Sequence, residues 1–204
     1  MIPLTADQLN VLAPNAKPNY KTAFESADDV LAKYGINDSA LRLRHFMSQV
    51  LHETGGLTIL IESLNYRAER LLEVWPTRFK TVADATPFAH NAEALANNVY
   101  GGRMGNTQPG DGWKFIGRGL LQITGRESYE RYGKALGIDL AGNPDLATDP
   151  QWTLAIAAEE WVASKCNDYA DADNIRAVTK AVNGGYIGLA ERQAWLTKAT
   201  AVWP

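Results

Sequence analysis

The run HETGG at residues 52–56, with a second glutamate at Glu62, puts a histidine, two carboxylates and a glycine pair within a dozen positions. Zinc proteases place two histidines and a glutamate on one helix as H-E-x-x-H. Here the second histidine would fall on position 56, which is Gly56. Only His45, His52 and His90 exist, and a catalytic zinc needs three protein ligands brought together, so no metal is expected. His52 is expected to pack and to hydrogen-bond the backbone nearby. The remaining chemistry is acid–base work by Glu53 and Glu62. On one continuous helix they would point to opposite faces, about 13 Å apart along the axis. The pair Gly55-Gly56 changes this, because glycines end helices and let the chain reverse. Glu53 would then sit at a helix C-terminus among Val50, Leu51 and Leu57, where both the macrodipole and the apolar neighbours disfavour the charged form. Glu62, in a polar run with Ser63 and Asn65, would stay ionised. A protonated carboxyl facing an ionised one is the arrangement of glycoside hydrolysis. From these two residues alone, a pair of ordinary surface glutamates remains the simpler reading.

The elements that must position them are helices. SALRLRHFMSQVLHET carries Leu41, Leu43, Phe46, Met47, Val50 and Leu51 near helical spacing, with a cap among Asn37, Asp38 and Ser39 and the glycine pair as its stop. YRAERLLEVWP repeats the pattern until Pro76. PFAHNAEALANNVYG reads as one further helix. After a glycine-rich stretch, GGRMGNTQPGDGWKFIGRG, come helical RESYERYGKALG, DPQWTLAIAAEEWVASK, DADNIRAVTKAV and GLAERQAWLTKATAVW. TILIES and FIGRGLLQITG are the only strand candidates, as a short hairpin. A long glycine-rich stretch inside a compact domain usually carries function.

Composition narrows the classes. A formal net charge of −3, with no cluster of lysine and arginine, argues against nucleic acid as a partner. Arg67, Arg70, Arg78 and Lys80 are interleaved with Glu69 and Glu73 and read as a solvated face. The single cysteine, Cys166, forms no internal disulfide and reads as a buried structural thiol. The N-terminal residues lack the charged and apolar regions of a signal peptide, and no apolar run reaches membrane-spanning length. Synthesis in the cytoplasm is expected, with no stable membrane insertion.

HETGG, then ESLNYRAERL, GRGLLQITGRESY and VTKAVNGGYIGLAERQAWL, in that order from about residue 38 to 200, resemble glycoside hydrolase family 19. That family holds plant-type chitinases and a branch of phage endolysins. The resemblance implies a mainly α, lysozyme-like α+β fold with a very small β-hairpin and a cleft between two helical lobes. It implies Glu53 as general acid, Glu62 as the base that activates water, and Thr124 as the hydroxyl that helps hold that water. Gln122 and Asn183 match sugar-contacting residues; Tyr66 and Arg192 match, more loosely, groove-lining or carboxylate-orienting ones. Such a pair inverts the anomeric centre with carboxyls roughly 6.5–9.5 Å apart. Alone, GRGLLQITG is weak: its glycines suggest a phosphate loop, but it lacks the G-x-G-x-x-G spacing and the Walker lysine. Asn183-Gly184-Gly185 alone reads as a helix end, and Arg118 and Arg192 read as readily as structural ion pairs.

The nine-residue spacing of the glutamates looks like the endolysin branch, and the chain has one cysteine where plant chitinases are disulfide-bonded. The expectation is a single catalytic domain over residues 1–204, with a small helical lobe at about 67–110 and no separate wall-binding module. It would act without cofactor, as a monomer released by a holin, on peptidoglycan strands in the periplasm of the lysing host. The alternatives are a bacterial chitinase with the same machinery, a lytic transglycosylase leaving an anhydro end, and a non-catalytic sugar-binding module. The last has no need of the water-handling Thr124.

Overall fold

The computed structural model describes residues 1–204. Thirteen α-helices follow one another: α1 (Ala6–Leu12), α2 (Pro18–Phe24), α3 (Ala27–Lys33), α4 (Ala40–Glu53), α5 (Ala68–Val74), α6 (Val82–Ala85), α7 (Ala92–Tyr100), α8 (Asp111–Lys114), α9 (Arg126–Leu136), α10 (Thr153–Ala163), α11 (Cys166–Asp171), α12 (Ile175–Asn183) and α13 (Leu189–Val202). Helix α4 is the axis of the molecule. Ser39 caps it by accepting the Arg42 N–H at 3.2 Å. Every residue from His45 to Leu51 is buried, polar ones included, so this helix is enclosed rather than amphipathic. Against it pack α11, α12 and α13. Full burial of Phe46, Met47, Val50 and Leu51 contributes about 1.5–3 kcal/mol for each side chain.

Three apolar clusters divide the interior. The largest joins α4 to Trp161 of α10, to Tyr20 and Leu31 near the N-terminus, and to Ala199 and Trp203 at the C-terminus. A second, smaller one gathers Leu64, Leu71, Phe79, Ala85, Leu95, Ala96, Val99 and Ile116. Its members come mostly from the 67–110 segment. A third collects Phe115, Ile123, Tyr129, Tyr132 and Ile156 around α9. The cleft described below is lined from the turn after α4, from the second cluster's Tyr66 and Tyr100, and from the end of α12.

Several sequence expectations shift. The strand candidates do meet, but only through isolated antiparallel bridges, Ile61 with Arg118 and Arg118 with Ile123. Gly119 (φ +79°) and Gln122 (φ +53°) turn the chain before a ladder can extend. PFAHNAEALANNVYG is two pieces: a 3₁₀ turn at Thr86–Phe88, then α7 started afresh by Asn91, which caps Ala94 N–H. Left-handed Lys165 (φ +56°) likewise separates α10 from α11. Helices α1–α3 escaped the periodicity reading, although Thr5 and Gln8 form a reciprocal capping box. These N-terminal helices hold the turn that follows α4. Lys17 N–H donates to Leu57 C=O at 2.8 Å, and the Tyr20 hydroxyl donates to Ile59 C=O at 2.8 Å.

Candidate active site

Glu53 is the last residue of α4. The chain reverses immediately after it through three consecutive left-handed residues, Gly55 (φ +55°), Gly56 (φ +74°) and Leu57 (φ +64°). Two glycines supply this at little cost; Leu57 adopts it against its own preference. Thr54 stabilises the reversal. Its hydroxyl donates back to Val50 C=O at 2.6 Å and accepts Leu57 N–H at 2.9 Å, while Gly56 N–H closes onto Leu51 C=O at 2.7 Å. The following strap carries Glu62 into the lining of an open cleft of about 550 Å³. Its lining includes Glu53, Glu62, Tyr66, Tyr100, Gln122, Thr124 and Asn183. Six of the seven residues singled out from the sequence therefore share one cleft.

The seventh, Arg192, approaches from behind. Its guanidinium, only 2% exposed, donates to Glu53 Oε1, whose side chain is 18% exposed. The same guanidinium donates to Gln49 Oε1 at 2.6 Å, and Gln49 in turn reaches Ser48 Oγ at 3.2 Å. A cation beside Glu53 was foreseen only loosely from the sequence. The helix end and the apolar neighbours are local, and nothing near residue 53 in sequence reveals a partner 139 positions away. Arg118, by contrast, is structural: it donates to Lys114 C=O and Tyr129 Oη and pairs with Asp145.

Glu62 is held differently. Its backbone N–H donates to Gly117 C=O at 2.9 Å, and Gly117 N–H returns to Glu62 Oε1 at 2.5 Å. The Tyr100 hydroxyl donates to Oε2 at 2.8 Å. Neither donor was picked out from the sequence. A side chain at position 117 would bring its Cβ within 3.2 Å of Glu62 Oε1 and of Gln122 Oε1, so the glycine there was the one legible signal. Gln122 turns inward to donate to Gly119 C=O at 2.8 Å. Thr124 donates its hydroxyl proton to Gln122 C=O at 3.0 Å. With that proton engaged, the hydroxyl oxygen of this cleft-lining residue is left to act as an acceptor, which suits a water proton.

The histidines stand apart from the carboxylate chemistry. The ring of His52 lies against Gly188, where an added Cβ would come within 2.4 Å of it. Packing, not a backbone hydrogen bond, therefore places it. Burial, aided by Arg192, lowers its pKa and keeps the ring neutral. His45 pairs with Asp173 at 2.8 Å, and His90 with Asn65 at 2.7 Å. Cys166 is buried, and burial with the nearby Glu160 pushes its thiol up to about 12. Glu160 itself is a charge the sequence did not flag. Its Oε2 is buried without a partner, and burial together with the Glu53 carboxylate pushes it up to about 8.

Two carboxylates and a hydroxyl acceptor around one groove are groups of the kind that hydrolysis of an acetal uses. Comparison with known proteins agrees at the level of family. A family model described as "Chitinase class I" matches residues 81–179, a span that begins after both glutamates and includes Tyr100, Gln122 and Thr124. A Haemophilus influenzae protein, "Glycosyl hydrolase family 19 domain-containing protein", is 36% identical over 154 residues, covering 72% of this chain and 72% of that one. An acidic 27 kDa endochitinase from Solanum lycopersicum is 37% identical over 103 residues, but these cover only 41% of this chain and 40% of the plant enzyme. Among solved structures, a bacterial family 19 chitinase superposes with a TM-score of 0.69 at 19% identity, covering 98% of this chain and 94% of that one. Chitinase C from Streptomyces griseus gives 0.67 at 20% identity, covering 98% and 76%. At such identities the structural likeness speaks for the fold: mainly helical and lysozyme-like. The chain belongs to glycoside hydrolase family 19, a chitinase-like glycosidase.

Proposed function

We propose that this glycosidase cleaves β-1,4 bonds of bacterial peptidoglycan by a single inverting displacement, and that it serves as an endolysin. The observation that carries the chemistry is the Thr124 hydroxyl, its proton committed to Gln122 C=O, in the same cleft as Glu53 and Glu62. A water between Thr124 and Glu62 would give one proton toward Thr124 Oγ1 and the other to the Glu62 carboxylate. Its oxygen attacks the anomeric carbon as Glu53 protonates the departing glycosidic oxygen. Arg192 favours the negative charge that grows on Glu53 as its proton leaves. Asn183 and Gln122 offer amide donors and acceptors suited to an N-acetyl group.

Peptidoglycan is favoured as substrate by the short spacing between the glutamates and by a chain without disulfides. The enzyme is proposed to act as a monomer, on the wall from the periplasmic side, after release from the cytoplasm by a holin. Chitin is the second reading, favoured by the named chitinases among its relatives. A digest of purified peptidoglycan, run beside N-acetylglucosamine hexamer, separates the two. The expected result is muropeptides with reducing N-acetylmuramic ends of inverted anomeric configuration. Cleavage of the hexamer alone would overturn the endolysin reading, and anhydro ends would overturn the hydrolytic one.

A further inference from the structure

Glu62 lies on a strap without regular secondary structure, where a carboxylate with a free terminal torsion would sample many orientations. Two donors stop it: Gly117 N–H on Oε1 and the Tyr100 hydroxyl on Oε2. The first belongs to the bridge segment that the strap already follows. The second comes from elsewhere, the last residue of α7, whose ring packs against the second apolar cluster. We propose that Tyr100 is a positioning residue for the base, fixing the plane of the Glu62 carboxylate and anchoring it to that cluster rather than to the α4 core that holds Glu53.

The seat of Tyr100 is built for constancy. Its carbonyl accepts Asn106 Nδ2 at 3.0 Å and Arg103 N–H at 3.3 Å. Asn106, buried, accepts Arg126 N–H on its own Oδ1 at 2.9 Å. Arg126 begins α9, two residues after Thr124. One buried amide thus ties the residue that orients the base to the segment that presents the water acceptor. Glu62 and Tyr66 face the Tyr100 hydroxyl as titratable neighbours and Arg103 as a cation. Burial first, and then the Glu62 carboxylate, push the phenol well above its usual range. It therefore stays a donor wherever Glu62 is ionised.

The inference rests on the base role proposed for Glu62, and its test is chosen to fail separately. Tyr100→Phe keeps the ring and removes only the donor. On soluble oligosaccharides kcat should fall roughly 10- to 100-fold with KM within about twofold. The acidic limb of the pH–rate profile should move to higher pH, because a donor to the charged form is gone. In a crystal of the variant, Glu62 should leave its single rotamer. Unchanged kcat and profile, or a KM rise with an unmoved acidic limb, would sink the proposal. A Glu62 that keeps its wild-type rotamer would do the same even for an enzyme inactive on both substrates. Should Tyr100→Phe fail to fold, 4-fluorophenylalanine at position 100 fills the place of the hydroxyl without a proton to donate. The same loss of kcat and the same displaced Glu62 rotamer are expected, and wild-type kcat with an unmoved Glu62 would count against the idea.

Discussion

Glu53 and Glu62 line one cleft but are held by opposite means. Glu53 ends the most enclosed helix of the molecule and faces a guanidinium that is itself buried and bonded to Gln49. Glu62 rides a loop and faces two neutral donors, a backbone amide and a phenol. The difference fits the roles proposed for them. An acid develops charge as it reacts, so a fixed cation nearby helps more in the transition state than before it. A base loses charge as it reacts. Neutral donors hold the carboxylate in place without binding its charged form as firmly as a cation would. Position matters alongside charge: Glu53 is set by a core helix, Glu62 by hydrogen bonds from a backbone amide and from a tyrosine of the second cluster.

Removing the carboxylates gives the largest effects and tests whether the division is real. Glu53→Gln should lower kcat roughly 1,000-fold and Glu62→Gln roughly 100-fold, with melting temperatures near wild type. Full lytic activity in both variants would overturn the assignment of roles. Arg192→Lys comes next. A point charge on a flexible stem cannot bond Gln49 and Glu53 together as the planar fork does. Activity should drop about tenfold or more, and thermal denaturation should shift down by several degrees, since a buried polar contact is left unmade. A lysine variant with wild-type activity and melting would show that only charge, not geometry, matters at Glu53.

Glu160→Gln should have the smallest effect, and it is read as stability. In the folded chain this carboxyl is pushed up to about 8 by burial and by Glu53, against an ordinary value of 4.5. Below the ordinary value both folded and unfolded chains hold the proton, and the residue costs nothing. As pH rises toward 8 the unfolded chain releases its proton and the folded one keeps it, so stability declines across that interval. The glutamine variant should therefore melt higher than wild type at pH 8.5 and show no such gain near pH 4, as scanning calorimetry would reveal. A gain of the same size at both pH values would mean that Glu160's charge is not the cause.

Much of the acid's side was readable from one segment of sequence. The apolar spacing of Leu43, Phe46, Met47, Val50 and Leu51 marks α4, and Gly55-Gly56 marks its reversal; both are local signals in periodicity and backbone freedom. The base's side was not. Tyr100 stands 38 residues from Glu62 and Gly117 stands 55 away, and no local pattern distinguishes this tyrosine from the other seven. Helices α1–α3 escape the reading for a different reason: each is only seven residues long, and unlike the equally short α5, which Pro76 closes, none carries a pattern and a stop together. The expected hairpin shrank to single bridges because left-handed Gly119 and Gln122 interrupt a run whose side chains otherwise suit a strand.

The glycine-rich stretch after α7 invites trimming, because its composition is that of a spacer. Asn106 argues against treating it as one. With one hydrogen bond to each side, Tyr100 C=O and Arg126 N–H, it works as a keystone between two arms of the molecule. Anyone grafting this glycosidase into a chimeric protein, or shortening its loops for thermal resistance, should splice elsewhere. A cut here would leave both arms folded and the reaction out of alignment.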